Sequence, residues 1–276
     1  MTRNYTLIGG KLGHSLSPQI HEKLFELRGK KAEYTLTEMT EQELPDKLDM
    51  LKELGGFNIT IPHKLAIIPF LDELDRSAML YGAVNCVKND RGRLIGYNTD
   101  CDGFLQSVKA MGAKLSGDVL LIGCGGVGRM IAIAAAGEGA RLTIQVIAPD
   151  IPLAEKVKQE ISVHSPLAKV DIVLADDRHR KHYDLLVNAT PVGMYPNVNA
   201  CPVSDDLIAL SDSVFDVIYN PLETELIKKA KAQGKPAENG MAMLVRQAVT
   251  AHYIWDGDSY SEEEIRRVIG EVSRLI

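Results

Sequence analysis

Short apolar runs alternate with longer amphipathic segments along the whole chain. Residues 5–8 and 34–37 have the apolar, β-branched and aromatic character typical of strands. Between them, Ile20, Leu24 and Leu27 recur at helical spacing after a Ser-Pro start. A second helical segment is predicted over residues 40–54, and another strand-like run follows it. This strand–helix–strand order predicts an α/β protein in which helices cover both faces of a mostly parallel sheet.

The stretch GGFNITIPHK, residues 55–64, places polar residues inside an apolar strand pattern. Asn58 and Thr60 alternate with apolar neighbours and therefore share one face, and Pro62 ends the strand because it has no N–H to donate. Lys64 then follows the carboxyl end of the strand, where open α/β sheets bind their ligands. This stretch alone leaves open an edge strand with a solvated polar face and a surface lysine.

A glycine-rich turn marks a second structural unit. Gly123, Gly125 and Gly128 form G-x-G-x-x-G directly after the predicted strand 119–122 and before a helix of small residues. In such a turn the first glycine permits the sharp bend, the second lets a pyrophosphate approach the backbone, and the third lets helix and strand pack closely. The free N–H groups at the helix start would face the phosphates. The pattern predicts dinucleotide binding; a purely structural turn is the alternative.

Asp150 bears on the choice of dinucleotide. It follows the second strand of this unit, residues 143–147, near the position from which an acidic residue accepts a hydrogen bond from a ribose 2′-OH. A 2′-phosphate would favour Arg or Lys there, and none occurs before Lys156. The alternative is that Asp150 only caps the helix that begins near Pro152.

Two later strands end in polar loops that would line the same cofactor crevice. Strand 185–187 leads into Asn188-Ala189-Thr190, and strand 214–218 leads into a Tyr-Asn-Pro turn. The remaining residues predict two helices, the second of which starts at Ser261 with an acidic first turn.

Composition excludes several classes of protein. The 276 residues are 45% hydrophobic and 25% charged, as in a globular protein, and the net charge of −6 argues against a nucleic-acid partner. The apolar runs are too short to span a membrane. The four cysteines form no C-x-x-C pair, and the first residues include no signal-peptide core, so we expect a cytoplasmic protein. We expect no metal site.

Eight motifs together resemble the shikimate dehydrogenase family. They follow the family's order over nearly the whole chain: GHSLSP (13–18), GFNITIPHK (56–64), GAVN (82–85), GYNTDCDGF (96–104), GCGGVGR (123–129), VNATPVGM (187–194), VIYNPLET (217–224) and NGMAMLVRQA (239–248). The resemblance implies NAD(P)-linked interconversion of 3-dehydroshikimate and shikimate, a step towards chorismate and the aromatic amino acids. It also implies a substrate domain (1–102 and 242–276, the C-terminal helices packing back on it), a Rossmann-type domain (103–241), and an active site in the cleft between them.

The resemblance also implies roles for individual residues. Lys64 would be the acid/base and Asp100 would orient it, which suits a ketone reduction because the former carbonyl oxygen needs a positioned proton donor. The residues implied to bind substrate are Ser15, Ser17, Asn58, Thr60, Asn85, Tyr219 and Gln247. The residues implied to bind the cofactor are Gly123, Gly125, Gly126, Val127, Gly128, Asp150, Thr190, Met194, Ile218, Gly240 and Met243. Ser15 and Ser17 alone would otherwise be interpreted as helix caps before Pro18.

Two departures from the family pattern affect the expected specificity. Many NADP-using members have an Asn-Arg-Thr segment where this chain has Ala148-Pro149-Asp150, so the missing Arg favours NAD over NADP. Arg246 stands where an aromatic residue is common, which would add a cation near the pocket. A related enzyme acting on quinate or an aminoshikimate, or a binding module without turnover, remain alternatives. We expect a monomer or homodimer.

Overall fold

The computed structural model describes residues 3–175 and 181–276. Its strands in chain order are β1 (Asn4–Gly9), β2 (Glu33–Glu38), β3 (Gly56–Ile59), β4 (Glu73–Leu74), β5 (Cys86–Asp90), β6 (Arg93–Tyr97), β7 (Asp118–Ile122), β8 (Arg141–Val146), β9 (Lys169–Leu174), β10 (Leu185–Asn188), β11 (Val214–Asp216) and β12 (Ala237–Glu238). Its α-helices are α1 (Ser17–Leu27), α2 (Leu44–Lys52), α3 (His63–Ala66), α4 (Arg76–Tyr81), α5 (Asp100–Ala110), α6 (Gly126–Gly137), α7 (Ile151–His164), α8 (Asp205–Ala209), α9 (Glu225–Ala232), α10 (Gly240–Asp256) and α11 (Glu262–Ser273).

The chain forms two compact units. The first comprises the described residues of Met1–Gly103 together with Leu244–Leu275, and the second comprises Phe104–Met243 with Ile276. The divisions fall within α5 and α10. None of the helices in the described ranges is long and apolar enough to cross a membrane.

The first unit contains a six-stranded sheet in the order β2-β1-β3-β5-β6-β4. β1 runs parallel to β2 and β3, whereas β5 runs antiparallel to both β3 and β6. The predicted α/β fold is confirmed, but the β5–β6 hairpin was not predicted. The chain reverses there in two residues, Arg91 and Gly92, whose φ angles of 55° and 90° suit the tight turn of a hairpin.

The strand of the GGFNITIPHK stretch lies inside this sheet. β3 pairs with β1 on one side and β5 on the other, and its four residues are all buried. The interpretation as a solvated edge strand was therefore wrong. β3 is shorter than the alternating pattern suggests, since it ends at Ile59. Thr60 and Lys64 come directly after it, at the carboxyl end of the strand.

The second unit contains a fully parallel sheet in the order β12-β11-β10-β7-β8-β9. The chain starts in the middle at β7, builds outward through β8 and β9, and then returns to β10 on the other side. This reversal of strand order between β7 and β10 is the switch point at which doubly wound sheets bind nucleotides. The predicted Rossmann-type fold is confirmed.

Helices at the two ends of the sequence pack together in the first unit. α11 begins with a capping box. The Ser261 side chain accepts from the Glu264 backbone N–H, and the Glu264 carboxylate accepts from the Ser261 backbone N–H. The same Glu264 carboxylate lies 2.7 Å from Arg28, which follows α1. In the core below, Tyr5 and Trp255 stack with their ring centroids 4.5 Å apart. The predicted start of the last helix at Ser261 is confirmed.

Candidate active site

A lysine and an aspartate form an ion pair at the carboxyl ends of the first sheet. Lys64 lies in α3, the short helix that follows β3, and Asp100 is the first residue of α5, which follows β6. Lys64 Nζ donates to Asp100 Oδ2 over 2.6 Å. Their side chains remain 28% and 20% exposed, so solvent and small molecules can reach both. The structure thus brings together the two residues predicted for proton transfer.

Asn85 holds the other oxygen of Asp100. Its Nδ2 donates to Asp100 Oδ1 over 2.8 Å, and its Oδ1 accepts from the Thr99 backbone N–H over 2.7 Å. Asn85 precedes β5 and Thr99 follows β6, so the β5–β6 hairpin sets the two ends of this network beside each other. The Asp100 carboxylate is therefore bound on both oxygens.

Asn58 links this network to the interior strand. Its Nδ2 donates to the Asn85 carbonyl oxygen over 3.2 Å, and its Oδ1 accepts from the Tyr34 hydroxyl over 2.8 Å. The Ile59 backbone N–H donates to the same Asn85 carbonyl. Asn58 is buried with both ends of its amide bonded, which accounts for a polar residue in an apolar strand.

Gln247 reaches the same network from α10. It lies 3.2 Å from the Thr99 hydroxyl, and its Nε2 donates to the Leu244 carbonyl. The neighbouring Arg246 is different. Its buried guanidinium, 5% exposed, is paired with Glu262 through both terminal nitrogens. The cation that the sequence predicted near the pocket is thus paired with the Glu262 carboxylate, which balances its charge.

Ser15 and Ser17 lie where α1 begins. The Ser15 hydroxyl accepts from the Ser17 backbone N–H over 3.2 Å, while the residue at the cap position is Leu16. Ser17 is mostly buried. Burial raises the pKa of the Tyr34 phenol, and a hydrogen bond with the Ser17 side chain acts against that rise. Thr60, just after β3, packs against Gly9 at the end of β1.

The glycine turn of the second unit has the features of a phosphate site. Gly123 has φ of 86°, which favours glycine, and a Cβ on Gly128 would lie 2.4 Å from the Gly123 carbonyl oxygen. By contrast, a Cβ on Gly125 or Gly126 would meet nothing within 4 Å. The open side of the turn and the start of α6 therefore leave room for a pyrophosphate, and the residues present fit a dinucleotide.

The remaining residues expected at the cofactor lie around the carboxyl ends of the second sheet. Thr190 contacts the turn through Gly123, and Gly240 donates its N–H to the Ile218 carbonyl over 3.0 Å. Val127 and Met194 are exposed, and Met243 is buried in α10. Tyr219, expected at the substrate, follows β11 in the second unit.

Asp150 lies in a single 3-10 turn, Ala148–Asp150, directly before α7. It occupies the position of a helix cap, yet its side chain makes no capping hydrogen bond. The backbone carbonyl of Asp150 faces Cys124 in the glycine turn, with the sulfur 4.0 Å away. The side chain is half-buried and adjoins the turn that would hold the pyrophosphate.

Comparison with known proteins identifies the family. Residues 7–87 match the family model for the shikimate dehydrogenase substrate binding domain. The chain is 39% identical to shikimate dehydrogenase (NADP(+)) of Shouchella clausii, with 98% of both chains covered. The chain belongs to the shikimate dehydrogenase family. The predicted resemblance is confirmed.

Solved structures of this family and its neighbours share the fold. Shikimate 5-dehydrogenase of Listeria monocytogenes, solved with shikimate and NAD, has a TM-score of 0.87 at 30% identity, covering 97% of this chain and 96% of that chain. The 5-ketofructose reductase of a Gluconobacter strain has a TM-score of 0.86 at 31% identity, with 99% of each chain covered. Shikimate dehydrogenases are oxidoreductases that act on a CH–OH group, so the predicted enzyme class is confirmed.

A buried carboxyl in the second unit of this family member was not anticipated from its sequence. Asp216, at the end of β11, accepts from Asn188 Nδ2 over 3.0 Å, from the Ile218 N–H over 3.1 Å and from the Thr224 hydroxyl over 2.7 Å. Burial raises the pKa of Asp216 to about 6, and the three donors act against that rise. Asp216 therefore ties together the loops after β10 and β11. Its position at the end of an apolar strand was the available signal.

No cluster of metal-binding side chains occurs among the residues that the structure describes.

Tyr34, which holds Asn58, was also missed, because a tyrosine in a strand pattern is ordinarily interpreted as a packing residue.

Proposed function

We propose that this chain catalyses the reversible oxidation of shikimate to 3-dehydroshikimate with a nicotinamide dinucleotide. The observation that carries the proposal is the Lys64–Asp100 pair, 2.6 Å apart and accessible at the carboxyl ends of the first sheet. A proton donor at this point is what a ketone reduction requires, since negative charge develops on the carbonyl oxygen during hydride addition.

The nicotinamide ring, when bound, supplies or accepts the hydride. In the direction of ketone reduction, Lys64 gives an Nζ proton to the carbonyl oxygen as the hydride reaches the carbon, and the product is an alcohol. In the direction of oxidation, Lys64 takes the hydroxyl proton. Asp100 accepts from Nζ and fixes its position, while Asn85 fixes the carboxylate. Because Asp100 is bound on both oxygens, little reorganisation accompanies the proton transfer.

The surrounding side chains suit a small polyhydroxy acid. Hydroxyl and amide groups can pair with each substituent of the ring, and such paired hydrogen bonds give strong discrimination against analogues that lack one. In this proposal Ser15 and Ser17 bind the carboxylate. The ring hydroxyls are bound by Asn58, Thr60, Asn85, Asp100 and Gln247, and Tyr219 completes the set of substrate residues.

The proposed cofactor preference is NAD over NADP. Asp150 adjoins the glycine turn without a capping bond, so its carboxylate is available to accept from the 2′-OH of an adenosine ribose and would repel a 2′-phosphate. Residues 147–155 contain no Arg or Lys to offset that repulsion. Relatives named for NADP(+), such as that of Shouchella clausii, are common, whereas the Listeria monocytogenes structure contains NAD.

Absorbance of the reduced nicotinamide tests both parts of the proposal. The purified protein is assayed with shikimate or quinate and with NAD or NADP, in all four combinations. We expect turnover with shikimate and a higher kcat/KM with NAD. Turnover with quinate alone would support the quinate enzyme. Binding of either cofactor, seen by calorimetry, without turnover of either acid would support a non-catalytic module.

The likeness to 5-ketofructose reductase adds one further substrate to this assay. That protein shares the fold over 99% of its length. Reduction of 5-ketofructose in place of 3-dehydroshikimate would show that the polar pocket serves an open-chain or sugar ketone, and would reject shikimate as the substrate.

A further inference from the structure

The hydroxyl of Tyr34 bonds the Asn58 amide from the side opposite Asn85. Tyr34 lies in β2, and its hydroxyl is 2.8 Å from Asn58 Oδ1. The contact of the Asn58 amide with Asn85 determines the orientation of that amide. The Asn85 carbonyl oxygen can only accept, so Asn58 must turn Nδ2 towards it, 3.2 Å away, and Oδ1 towards Tyr34. Tyr34 is therefore the donor.

Tyr34 is itself held by a buried imidazole. The His21 ring stacks on the Tyr34 ring with centroids 3.9 Å apart and planes within 6°. His21 is fully buried, and its pKa lies well below 6.5 because burial and the neighbouring His252 disfavour its charged form. The neutral His21 ring on one face, and the core cluster of Tyr5, Phe25 and Trp255 against which Tyr34 packs, leave the phenol little freedom to rotate.

A chain of hydrogen bonds fixes the orientation of His21. The Tyr260 hydroxyl lies 3.0 Å from the Leu24 carbonyl oxygen, which can only accept, and 2.8 Å from His252 Nδ1. If the hydroxyl donates to Leu24, His252 Nδ1–H donates to Tyr260, and His252 Nε2 accepts. His21 Nδ1, 3.0 Å from His252 Nε2, must then carry the proton. The imidazole that supports Tyr34 is thus anchored at its edge as well as its face.

The Asn58 amide is bonded at both ends, and the side chain of His21 also interacts with it. The amide has two N–H groups, of which the Asn85 carbonyl takes one, while Tyr34 donates to its oxygen. Without the Tyr34 hydroxyl, the oxygen would lose its donor and the amide would lose the contact that holds its plane. The Ser17 side chain, near the same hydroxyl, lies at the start of α1.

We propose that Tyr34 is a positioning residue which acts through Asn58, fixing the amide which, in the proposed function, binds a hydroxyl of the substrate. The inference rests on the proposed function, because the hydroxyl belongs to the polyhydroxy acid named there. Tyr34 itself takes no part in proton transfer. Its loss should weaken substrate binding and leave hydride transfer and cofactor binding nearly unchanged.

The test is Tyr34→Phe, which removes the hydroxyl and keeps the ring stacked on His21. We expect the KM for shikimate to rise about 3- to 10-fold, the range that one net hydrogen bond supports. kcat and the KM for the cofactor should stay within about twofold. Tyr253→Phe, which alters an exposed tyrosine of α10, is the matched control and should leave all three constants unchanged.

A double-mutant cycle separates positioning from general weakening of the fold. In an Asn58→Ala background, Tyr34→Phe should cause no further rise in KM, because the group through which Tyr34 acts is gone. Rises that multiply would overturn the proposal, and so would an unchanged KM in the single variant. Thermal unfolding of each variant shows whether the fold is intact.

A second measurement needs no turnover. The side-chain amide of Asn58 gives a pair of nitrogen-correlated NMR signals, identified by their loss in Asn58→Asp. Tyr34→Phe should shift that pair and speed its exchange with solvent, whereas Tyr253→Phe should not. An unmoved pair would overturn the inference. A wild-type protein that binds cofactor but neither binds nor oxidises shikimate would overturn the proposed function, while the NMR signals would still decide whether Tyr34 holds Asn58.

Discussion

Lys64 Nζ and Asp100 Oδ2 lie 2.6 Å apart although 36 positions separate them in the chain. The contact is made because β3 and β6 end at the same edge of one sheet, and each is followed at once by a helix that starts with the reactive residue or next to it. The fold of the first unit therefore sets this pair.

Replacing Lys64 by Ala should lower kcat about 10²- to 10⁴-fold, the usual contribution of a general acid–base group. Shikimate binding should change by less than about tenfold, since the pocket keeps its other polar groups. Steady-state kinetics and a binding isotherm measure the two effects. Lys109→Ala, near the end of α5 and exposed, is the control. Near-normal kcat in Lys64→Ala would remove Lys64 from the mechanism.

The double substitution Asp150→Ser with Pro149→Arg should shift the cofactor preference towards NADP. It removes the carboxylate that repels a 2′-phosphate and adds a guanidinium that pairs with it. The ratio of kcat/KM with NADP to that with NAD should rise at least tenfold. Asp206→Ser, in the short helix α8, is the control for loss of an acidic residue. A wild-type enzyme that already prefers NADP would contradict the role given to Asp150.

Three glycines of one turn and helix should respond differently to alanine. Gly128→Ala should lower the unfolding temperature, because its Cβ would lie 2.4 Å from the Gly123 carbonyl and overpacking costs about 1–3 kcal/mol. Gly125→Ala should leave that temperature unchanged, as its Cβ meets nothing within 4 Å, but weaken cofactor binding by filling the space for the pyrophosphate. Gly137→Ala is the control, because a Cβ at the end of α6 also meets nothing within 4 Å. It should leave cofactor binding unchanged and raise the unfolding temperature only slightly. Calorimetry measures both quantities; equal cofactor affinity in Gly125→Ala would place the pyrophosphate elsewhere.

Asp216→Asn should stabilise the protein at neutral pH more than at acid pH. Folding raises the pKa of Asp216 from 3.8 to about 6, so the unfolded chain releases the proton more readily. The free energy of unfolding is therefore highest below pH 3.8 and falls by up to about 3 kcal/mol as the pH rises from 3.8 through 6. Asn keeps two acceptor contacts and avoids the charge.

Unfolding midpoints in denaturant at pH 4.5 and 7.5 measure this difference. The stability advantage of Asp216→Asn over wild type should be larger at pH 7.5 than at pH 4.5, while Asp49→Asn, which alters an exposed carboxyl of α2, should show no such difference. A constant difference would mean that the Asp216 carboxyl titrates in the folded state as it does in the unfolded chain.

The regular parts of the fold follow from hydrophobic periodicity, and the exceptions have local physical causes. The helix predicted over residues 40–54 is only Leu44–Lys52, because Glu43 bonds the Thr40 backbone N–H and hydroxyl and closes a turn before the helix. The β5–β6 hairpin was missed since its turn residues, Arg91 and Gly92, include no Asn-Gly or Asp-Gly pair.

Part of the candidate site was predictable because some of its residues interrupt or follow the apolar pattern of a strand. Asn58 stands out because a polar residue breaks an apolar pattern, and Lys64 because it follows a strand end. Tyr34, His21 and Asp216 stand out less: two are aromatic rings in plausible core positions, and the third is the last residue of β11, a place where surface acids also occur. Their importance depends on partners far away in sequence, such as His252 for His21, which periodicity cannot reveal.

The β5–β6 hairpin has candidate active-site residues at one end and an exposed turn at the other. Asn85 and Asp100 flank its open end, while Arg91 and Gly92 form its exposed tip, five residues of extended strand or about 17 Å away. Residues added at the tip lengthen the turn without altering the register that sets Cys86 opposite Tyr97. The tip is accordingly a place to attach a fluorophore or a surface tether, giving a sensor or an immobilised catalyst whose reactive end keeps its native geometry.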